Sequence, residues 1–221
     1  MKKILITTDF SENSFNAAEY AVSVFGIEGV EYMLVNMYSE PRAVTTVVVS
    51  LNDFLRKESM EGVKKQKEEL IAKFEGISIE SQTYYGAPAN TIKALSINEN
   101  IDYVVMGTKG ASSFENFLIG SNTLEVIKNV DVPILMVPLN SVYKGMKKLA
   151  IASDLHKLNH SGLIKPMVEI AKQHNSEICV LNVHVDETNY EEALEGFELH
   201  NELEGLNHSF HQEINSDVVE G

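Results

Sequence analysis

Hydrophobic residues in the first 140 positions follow two alternating spacings. Short apolar runs, of which residues 4–7 are the first, are long enough for buried strands. Between them, apolar residues recur with the period of a helix packed on a sheet. The first helical segment runs from a possible N-cap at Ser11 to a stop at Gly26. This alternation predicts a parallel α/β sheet covered on both faces, with right-handed crossovers.

The rest of the first 140 residues continues the same alternation. Strands are predicted at YMLVNMY, ISIESQTYY, residues 103–106 and VPILMVP. Helices are predicted at roughly residues 53–74, then at APANTIKALSINEN and NTLEVIKNV. The first of these helices alternates lysine and glutamate, which indicates a solvated face. Pro133 and Pro138 bound the last strand, and prolines in these places favour an edge position in the sheet.

The chain then begins the same pattern a second time. MKKILITTDF at residue 1 is answered by MKKLAIASDL at residue 146, which aligns Asp9 with Asp154. EYMLVNMY is answered by EICVLNVHV, which aligns Asn36 with Asn182, and IESQTYYGAPANTI aligns with HSFHQEINSDVVEG. We therefore expect a domain at 1–140 and a partial copy at 146–221 that lacks the last two strands and the glycine loop. The second sheet would have an open edge that another chain must cover.

Charge and composition exclude several classes of protein. The net charge is −14, and residues 151–221 carry fourteen acidic residues against three lysines. Such a balance opposes binding to nucleic acid or anionic lipid. The sequence has no apolar run of membrane-spanning length and no signal peptide at its start, so we expect a cytoplasmic protein without membrane contact. The single cysteine, Cys179, lies in an apolar run and is predicted to be a buried strand residue.

The segment GTKGASSFENFLIGSNT contains the candidate chemistry of the chain. Gly107, Gly110 and Gly120 precede a predicted helix, and Ser121 follows the last glycine. Glycines let the backbone approach a phosphate closely, and the amides at a helix start attract anions. The spacing matches neither a Walker A loop nor a dinucleotide fingerprint. Ligands of such sheets bind at the carboxyl ends of strands, which is also where the first strand delivers Asp9.

The glycine spacing resembles the nucleotide-binding signature of the universal stress protein family. That signature is Gly, two residues, Gly, nine residues, Gly, then Ser or Thr, and this chain matches every fixed position. DYVVMGTKG, VPILMVP and TTDFSENSFNAAEYA are also similar to family segments, so the resemblance covers residues 1–138. It implies a five-stranded, doubly wound sheet of order 3-2-1-4-5, like that of the adenine nucleotide alpha hydrolases. The repeat resembles the tandem arrangement, here with an incomplete second copy.

The resemblance also implies a set of nucleotide contacts. They are Thr7, Asp9, Met37, Met106, Gly107, Gly110, Gly120, Ser121 and Asn122. By this resemblance, Thr7 and Asp9 lie at the adenosine end, and the backbone near Met37 contacts adenine. Met106 flanks the base or the ribose.

The phosphate end follows from the same resemblance. Gly107 and Gly110 would pass beneath the ribose and phosphates, while Gly120, Ser121 and Asn122 donate to the phosphates. Asn122 departs from the small or apolar residue usual at its position, although its backbone amide is retained. The implied ligand is ATP, with or without Mg²⁺.

Structural roles are the alternatives for these residues. Asp9 could instead cap the first helix. Met37 and Met106 end strands, where methionine ordinarily packs in the core. Three glycines in a loop are commonly just turns. The pairs His156/His160 and His208/His211 lack the glutamate or cysteines of a metal motif, so we expect solvated histidines and no metal site.

The leading functional hypothesis is a stress-response module that binds ATP and changes conformation or partner. Only Glu115 lies within the glycine segment as a possible base, so we name no catalytic residue and expect any hydrolysis to be slow and Mg²⁺-assisted. The alternatives are an ATP-hydrolysing or AMP-forming enzyme and an interaction scaffold without nucleotide. We also expect a homodimer joined through the edge strand from Pro133 to Val137, an edge that universal stress proteins pair between domains.

Overall fold

A computed structural model describes residues 1–39, 48–108, 120–152, 164–184, 203 and 205–214. The chain divides into two compact units, Met1–Tyr143 and Lys144–Gly221. The described elements of the first unit are β1 (Lys2–Thr7), α1 (Glu12–Phe25), β2 (Val30–Tyr38), α2 (Val48–Lys73), β3 (Ile79–Tyr85), α3 (Pro88–Asn98), β4 (Tyr103–Gly107), α4 (Ser121–Asn129) and β5 (Ile134–Val137). Those of the second are β6 (Lys148–Ala152), α5 (Lys165–His174), β7 (Glu177–His184) and β8 (His208–Ile214).

The first unit is built on a parallel sheet of order β3-β2-β1-β4-β5, which confirms the predicted fold class. β1 is the central strand. It pairs with β2 along its whole length and with β4 from Ile4 to Ile6. Ile4, Leu5 and Ile6 have no solvent exposure, as expected for a short apolar run between two helical layers. β5 lies at an edge of the sheet, as its flanking prolines predict.

The helices cover both faces of this sheet. The chain moves one way from β1 to β3 and the other way from β3 to β5, so right-handed crossovers place α1 and α2 on one face and α3 and α4 on the other. The core on the second face joins strand residues such as Leu5 and Val104 to Ile92 of α3 and Val126 of α4. The sheet is therefore doubly wound.

The ends of α1 are the ones predicted from sequence. The Ser11 hydroxyl accepts a hydrogen bond from the Ser14 amide at 3.2 Å, which makes Ser11 the N-cap. Gly26 ends the helix with φ of 79°, a conformation that favours glycine, and its amide donates to the Val22 carbonyl at 2.9 Å. Local sequence alone fixes both ends.

Helix α2 begins about five residues earlier than predicted. Its first residues, Val48 and Val49, are β-branched and weak helix formers, so the sequence pattern does not reveal this turn. The buried residues of α2 recur at helical spacing and are Ser59, Val63, Gln66 and Leu70. The predicted solvated face is confirmed by exposed ion pairs, which are Lys57–Glu61, Lys64–Glu68 and Lys65–Glu69.

A buried polar cluster fastens α2 to the end of β1. The Asn36 side-chain amide donates to the Thr8 carbonyl at 2.7 Å and its oxygen accepts from the Ser59 hydroxyl at 2.6 Å. The Thr8 hydroxyl donates to the Gln66 side-chain oxygen at 2.6 Å and lies 3.0 Å from the Ser14 hydroxyl. All five side chains are buried, so the bonds compensate the loss of water. Composition and periodicity do not predict this cluster.

The second unit repeats the first three strands. Its sheet is parallel with the order β6-β7-β8, and β8 occupies the residues that the repeat aligns with β3. The core lies on one face, where Ile151, Ile178 and Val180 pack against Val168 and Ala171 of α5. The predicted second copy is therefore present as a three-stranded sheet.

The prediction that Cys179 is buried is wrong. It lies on β7 as expected, but its side chain is only half-buried. It shares the face opposite α5 with Glu177, whose pKa is lowered first by the hydrogen bond from Lys148 and then by that from Ser209. In the first unit, α3 and α4 cover the equivalent face, whereas no helix covers it among the described residues of the second unit.

Removing the Ser59 hydroxyl tests the buried cluster. We expect Ser59→Ala to lower the free energy of unfolding by about 1–3 kcal/mol, because the Asn36 oxygen loses its donor in a buried site. The matched control is Ser23→Ala, since the Ser23 hydroxyl only bonds back to the Glu19 carbonyl on its own helix. Urea unfolding at 25 °C measures both variants. Equal stability of the two variants would contradict the assigned role.

Candidate functional site

The candidate site lies where the sheet reverses direction. β1 continues to β2 on one side, and β4 continues to β5 on the other, so the chain leaves these two adjacent strands in opposite directions. Their register ends with Ile6 beside Val105, one residue before Thr7 and Met106. The carboxyl ends of β1 and β4 therefore meet at one point, as in other open α/β sheets that bind ligands.

Asp9 organises the turn that follows β1. One of its carboxylate oxygens accepts a 2.6 Å hydrogen bond from the Ser11 hydroxyl and a 3.1 Å bond from the Ser11 amide. Ser11 in turn caps α1, so Asp9 supports the cap without being the cap itself. The alternative that Asp9 itself caps α1 is wrong, although Asp9 has a structural role through Ser11. Contact between Asp9 and a ligand stays a prediction.

Phe10 holds the same turn against α2. Its φ of 66° lies in the left-handed region, which is rare for a bulky residue and costs backbone strain. Its ring covers Gly62, where an added Cβ would come within 2.5 Å of a ring carbon. The Thr8 hydroxyl accepts a 3.0 Å bond from the Phe10 amide and so anchors the turn from the other side.

Three predicted contacts have packed side chains. Thr7 and Met106 are buried, at 8% and 6% exposure, and Met106 belongs to the core beneath α3 and α4. Met37 is half-buried and packs against the same core from the end of β2. The ordinary role of methionine in the core therefore applies to both methionines. Any contact they make with a ligand would come in addition to packing.

Gly107 is required by the packing of α1 on β4. An added Cβ at this position would lie 2.5 Å from the side-chain nitrogen of Asn13 and 3.4 Å from its backbone oxygen. Asn13 is itself buried, at 4% exposure, so it has little room to move. The carbonyl of Gly107 also lies 3.5 Å from the Thr123 hydroxyl, its donor on α4. The fold alone explains this glycine.

Gly120 is different, because the described residues around it leave room for a side chain. Its φ of −60° is open to any residue, and among the described residues an added Cβ would meet no atom closer than 3.7 Å. Gly120 is the N-cap of α4 and makes no side-chain cap. The first hydrogen bond of the helix runs from the Leu124 amide to the Gly120 carbonyl. The amides of Ser121 and Asn122 come before this bond, in the first turn, where backbone amides have no partner within the helix. Both residues are solvent-exposed.

A backbone hydrogen bond joins the two arms of the glycine segment. The amide of Gly120 donates to the carbonyl of Thr108 at 3.0 Å, and the Thr108 amide donates to Val137 of β5 at 3.1 Å. The two described ends of the segment, Thr108 and Gly120, are therefore held next to each other at the end of β4. Gly110, Lys109 and Glu115 lie outside the described residues.

The structure thus brings the end of β1, Gly107 and the start of α4 to one edge of the sheet. A cavity of about 340 Å³ lies elsewhere, between α1 and α2, and none of the nine predicted contacts lines it. Residues 109–119, which form most of the predicted glycine segment, lie outside the described residues. Among the described residues, no group of three or more His, Cys, Asp or Glu side chains is placed to hold a metal ion.

Sequence reasoning missed Asn13 and Thr123, which contact Gly107 from two helices. Both residues lie inside segments that resemble the family, but neither is a fixed position of the glycine signature, and a position near a helix start gives no further signal in a single sequence. Asn36 did give a signal, because the repeat places an asparagine at the same point of a second apolar strand. A polar residue kept in two buried strands indicates a structural hydrogen bond.

Comparison with known proteins identifies the family. The sequence model of the universal stress protein family matches residues 1–138, which is more than half of the chain. The chain belongs to the universal stress protein family. A universal stress protein of Methanocaldococcus jannaschii is 33% identical over an alignment of 142 residues, and the match covers 62% of this chain and 81% of the relative.

Solved structures of universal stress proteins extend the likeness. A second protein of the same archaeon, 26% identical over 157 residues and covering 62% of this chain and 94% of the relative, has this fold. Its structure matches with TM-score 0.53 at 27% identity over 64% of this chain and 98% of that one. A universal stress protein from Archaeoglobus fulgidus matches with TM-score 0.73 at 24% identity, over 97% of this chain and 77% of its own. The last likeness shows the fold alone and includes the second unit.

Within the described residues, none of the helices is long and apolar enough to cross a membrane.

The two glycines can be separated by substitution. We expect Gly107→Ala to lower the free energy of unfolding by about 1–3 kcal/mol, because the new Cβ overlaps Asn13. Gly120→Ala should leave stability unchanged within about 0.5 kcal/mol, since its site is open. Chemical denaturation of the ligand-free protein measures both variants. A large loss in Gly120→Ala would show that packing also requires glycine there.

Proposed function

We propose that the first unit binds ATP at the carboxyl ends of β1 and β4 and acts as a regulatory module in the stress response. The observation that carries this proposal is Gly120. The family pattern has glycine at this position, yet packing against the described residues does not require it. A ligand that approaches the backbone closely at the start of α4 supplies the missing reason.

The start of α4 has the chemistry that a phosphate needs. The amides of Ser121 and Asn122 precede the helical hydrogen bonds, and the helix dipole favours negative charge at this end. The Ser121 hydroxyl is exposed beside them. We place the phosphates here, with Gly107 and Gly110 beneath the ribose and phosphates.

We place the adenosine end across the cleft, at the ends of β1, β2 and β4. We assign it to Thr7, Asp9, the backbone near Met37, and Met106, as family membership suggests. Asp9 is held by Ser11 in a fixed turn, so a ligand would meet a preorganised carboxylate. The rigid cluster around Thr8 supports this turn from beneath.

No described residue supplies a general base beside the expected phosphates, so we propose binding and not rapid turnover. Any hydrolysis would be slow and assisted by Mg²⁺. We therefore propose a nucleotide-dependent switch in the cytoplasm, with occupancy of the cleft as its signal.

A binding measurement tests the function directly. The purified protein is denatured and the released nucleotide identified by mass, and binding of added ATP is measured by calorimetry. We expect ATP to bind, and Gly120→Ala to weaken binding by about tenfold or more, because a methyl group holds the phosphates away from the amides. Asn129→Ala, at the other end of α4, is the matched control and should bind normally.

Each other outcome of this experiment favours a different function. Absence of binding at millimolar ATP would favour an interaction scaffold. Rapid turnover of added ATP would favour an enzyme. Equal affinities of Gly120→Ala and Asn129→Ala would remove the observation on which the proposal depends.

We further propose a homodimer joined through β5. This strand pairs with β4 on one side, and within the described residues no strand pairs with its other side. Ile134, Leu135 and Met136 are only half-buried although they lie on a strand. An apolar edge of this kind is a template for pairing with another chain.

Breaking this edge should change the mass of the protein in solution. We expect Leu135→Lys to shift the dimer toward the monomer by raising its dissociation constant at least about tenfold, because the charge replaces apolar contact area. Ile71→Lys, an exposed position on α2, is the matched control. Sedimentation velocity reports the mass. An unchanged mass distribution in Leu135→Lys would rule out this interface.

A further inference from the structure

The second unit has an edge that the first unit does not leave open. The repeat aligns β6 with β1, so that Leu149, Ala150 and Ile151 correspond to the three fully buried residues of β1. β1 pairs with strands on both sides. β6 pairs with β7, and among the described residues no strand pairs with its other edge. Within the described residues, β6 therefore lies at the edge of its sheet, although the strand it corresponds to is central.

The residues of β6 do not protect this edge. Proteins usually protect an edge with proline, a bulge or several charges. β6 has the sequence KLAIA, with Lys148 as its one charged residue. The Lys148 ammonium group lies 3.0 Å from the Glu177 carboxylate on β7, so it is directed toward the paired side of the strand. The unpaired edge presents apolar residues and backbone hydrogen-bonding groups.

We propose that β6 pairs antiparallel with β6 of a second copy of this chain, forming a continuous six-stranded sheet. A two-fold axis perpendicular to the sheet at Ala150 generates this contact. Each copy then uses the same strand, and pairing satisfies both edges at once. The contact closes on itself and leaves no unpaired edge at β6.

The burial pattern and the full overlap of the two five-residue strands together set the register. In antiparallel pairs, residues directly opposite each other lie on the same face. With Ala150 opposite itself, Leu149 lies opposite Ile151 of the second copy, so both core faces fall on the same side of the joined sheet. All five residues of β6 take part. A shift by one residue would place core positions opposite exposed ones.

The charges are compatible with the same register. Lys148 lies opposite Ala152 of the second copy, and no two like charges meet across the axis. Ala150 and Ala152 are small and exposed, so neither blocks the approach of the second strand. The edge therefore carries neither a like-charge pair nor a bulky exposed side chain that would oppose self-pairing.

Two charge changes with opposite expected effects test this register. Both are made in the full chain carrying Leu135→Lys, which removes the proposed β5 contact, and the dissociation constant is measured by sedimentation. Ala150→Lys places two lysines opposite each other and should raise the dissociation constant roughly fivefold or more. Ala152→Glu places a carboxylate opposite Lys148 of the second copy and should lower it roughly threefold to fivefold.

Leu181→Lys is the matched control. Leu181 lies on β7, on the same exposed face of the sheet but away from the edge. The proposed pairing predicts an unchanged dissociation constant for this variant. If copies met face to face instead, Leu181→Lys would weaken association, and this result would overturn the edge pairing.

Hydrogen exchange of the unmodified chain gives a second measurement that does not depend on any variant. Amides of residues 148–152 should exchange more slowly as protein concentration rises, because pairing protects them. Exchange at β2, which is paired on both sides within its own sheet, should not depend on concentration. Concentration-independent exchange at β6, or the same direction of change in Ala150→Lys and Ala152→Glu, would refute the proposal.

Discussion

The pairing of β1 with strands on both of its edges is the constraint on which the first unit depends. Because β2 and β4 flank β1, the chain must leave this point in two directions, and the helices must cover both faces. The same pairing brings the turn at Asp9 beside Gly107 and the start of α4. The candidate cleft is thus a consequence of strand order. The strand order alone determines where the cleft lies. Its ability to bind a ligand depends in addition on the particular residues at that place.

The polar cluster beneath the cleft makes this position rigid. The Thr8 carbonyl accepts a hydrogen bond from Asn36, and the Thr8 hydroxyl donates one to Gln66. The end of β1 is therefore bonded to both β2 and α2. In a buried site each lost partner leaves another group unsatisfied, which makes the cluster cooperative. Phe10 can adopt a strained conformation because its neighbours on both sides are fixed. A ligand at Asp9 would therefore contact a turn that is already ordered.

Much of this could be predicted from the sequence, because the deciding signals are local or repeated. The hydrophobic period predicted the strands and helices, and Ser11 and Gly26 predicted the ends of α1. The internal repeat predicted β6, β7 and β8. The contacts of Asn13 and Ser59 could not be predicted, since each joins residues that are distant in sequence. The half-burial of Cys179 was not predicted either, because apolar neighbours indicate a strand but do not indicate which of its faces is covered.

Gly107 and Gly120 show why a motif and a site are different claims. Both match the same family pattern, yet the structure gives them different reasons to be glycine. At Gly107 a side chain would overlap Asn13, so selection for packing alone would retain glycine whether or not a ligand binds. At Gly120 the backbone is ordinary and the described residues leave the space open, so packing against them exerts no such selection. Gly120, which packing against the described residues does not require, is therefore the glycine that indicates a ligand.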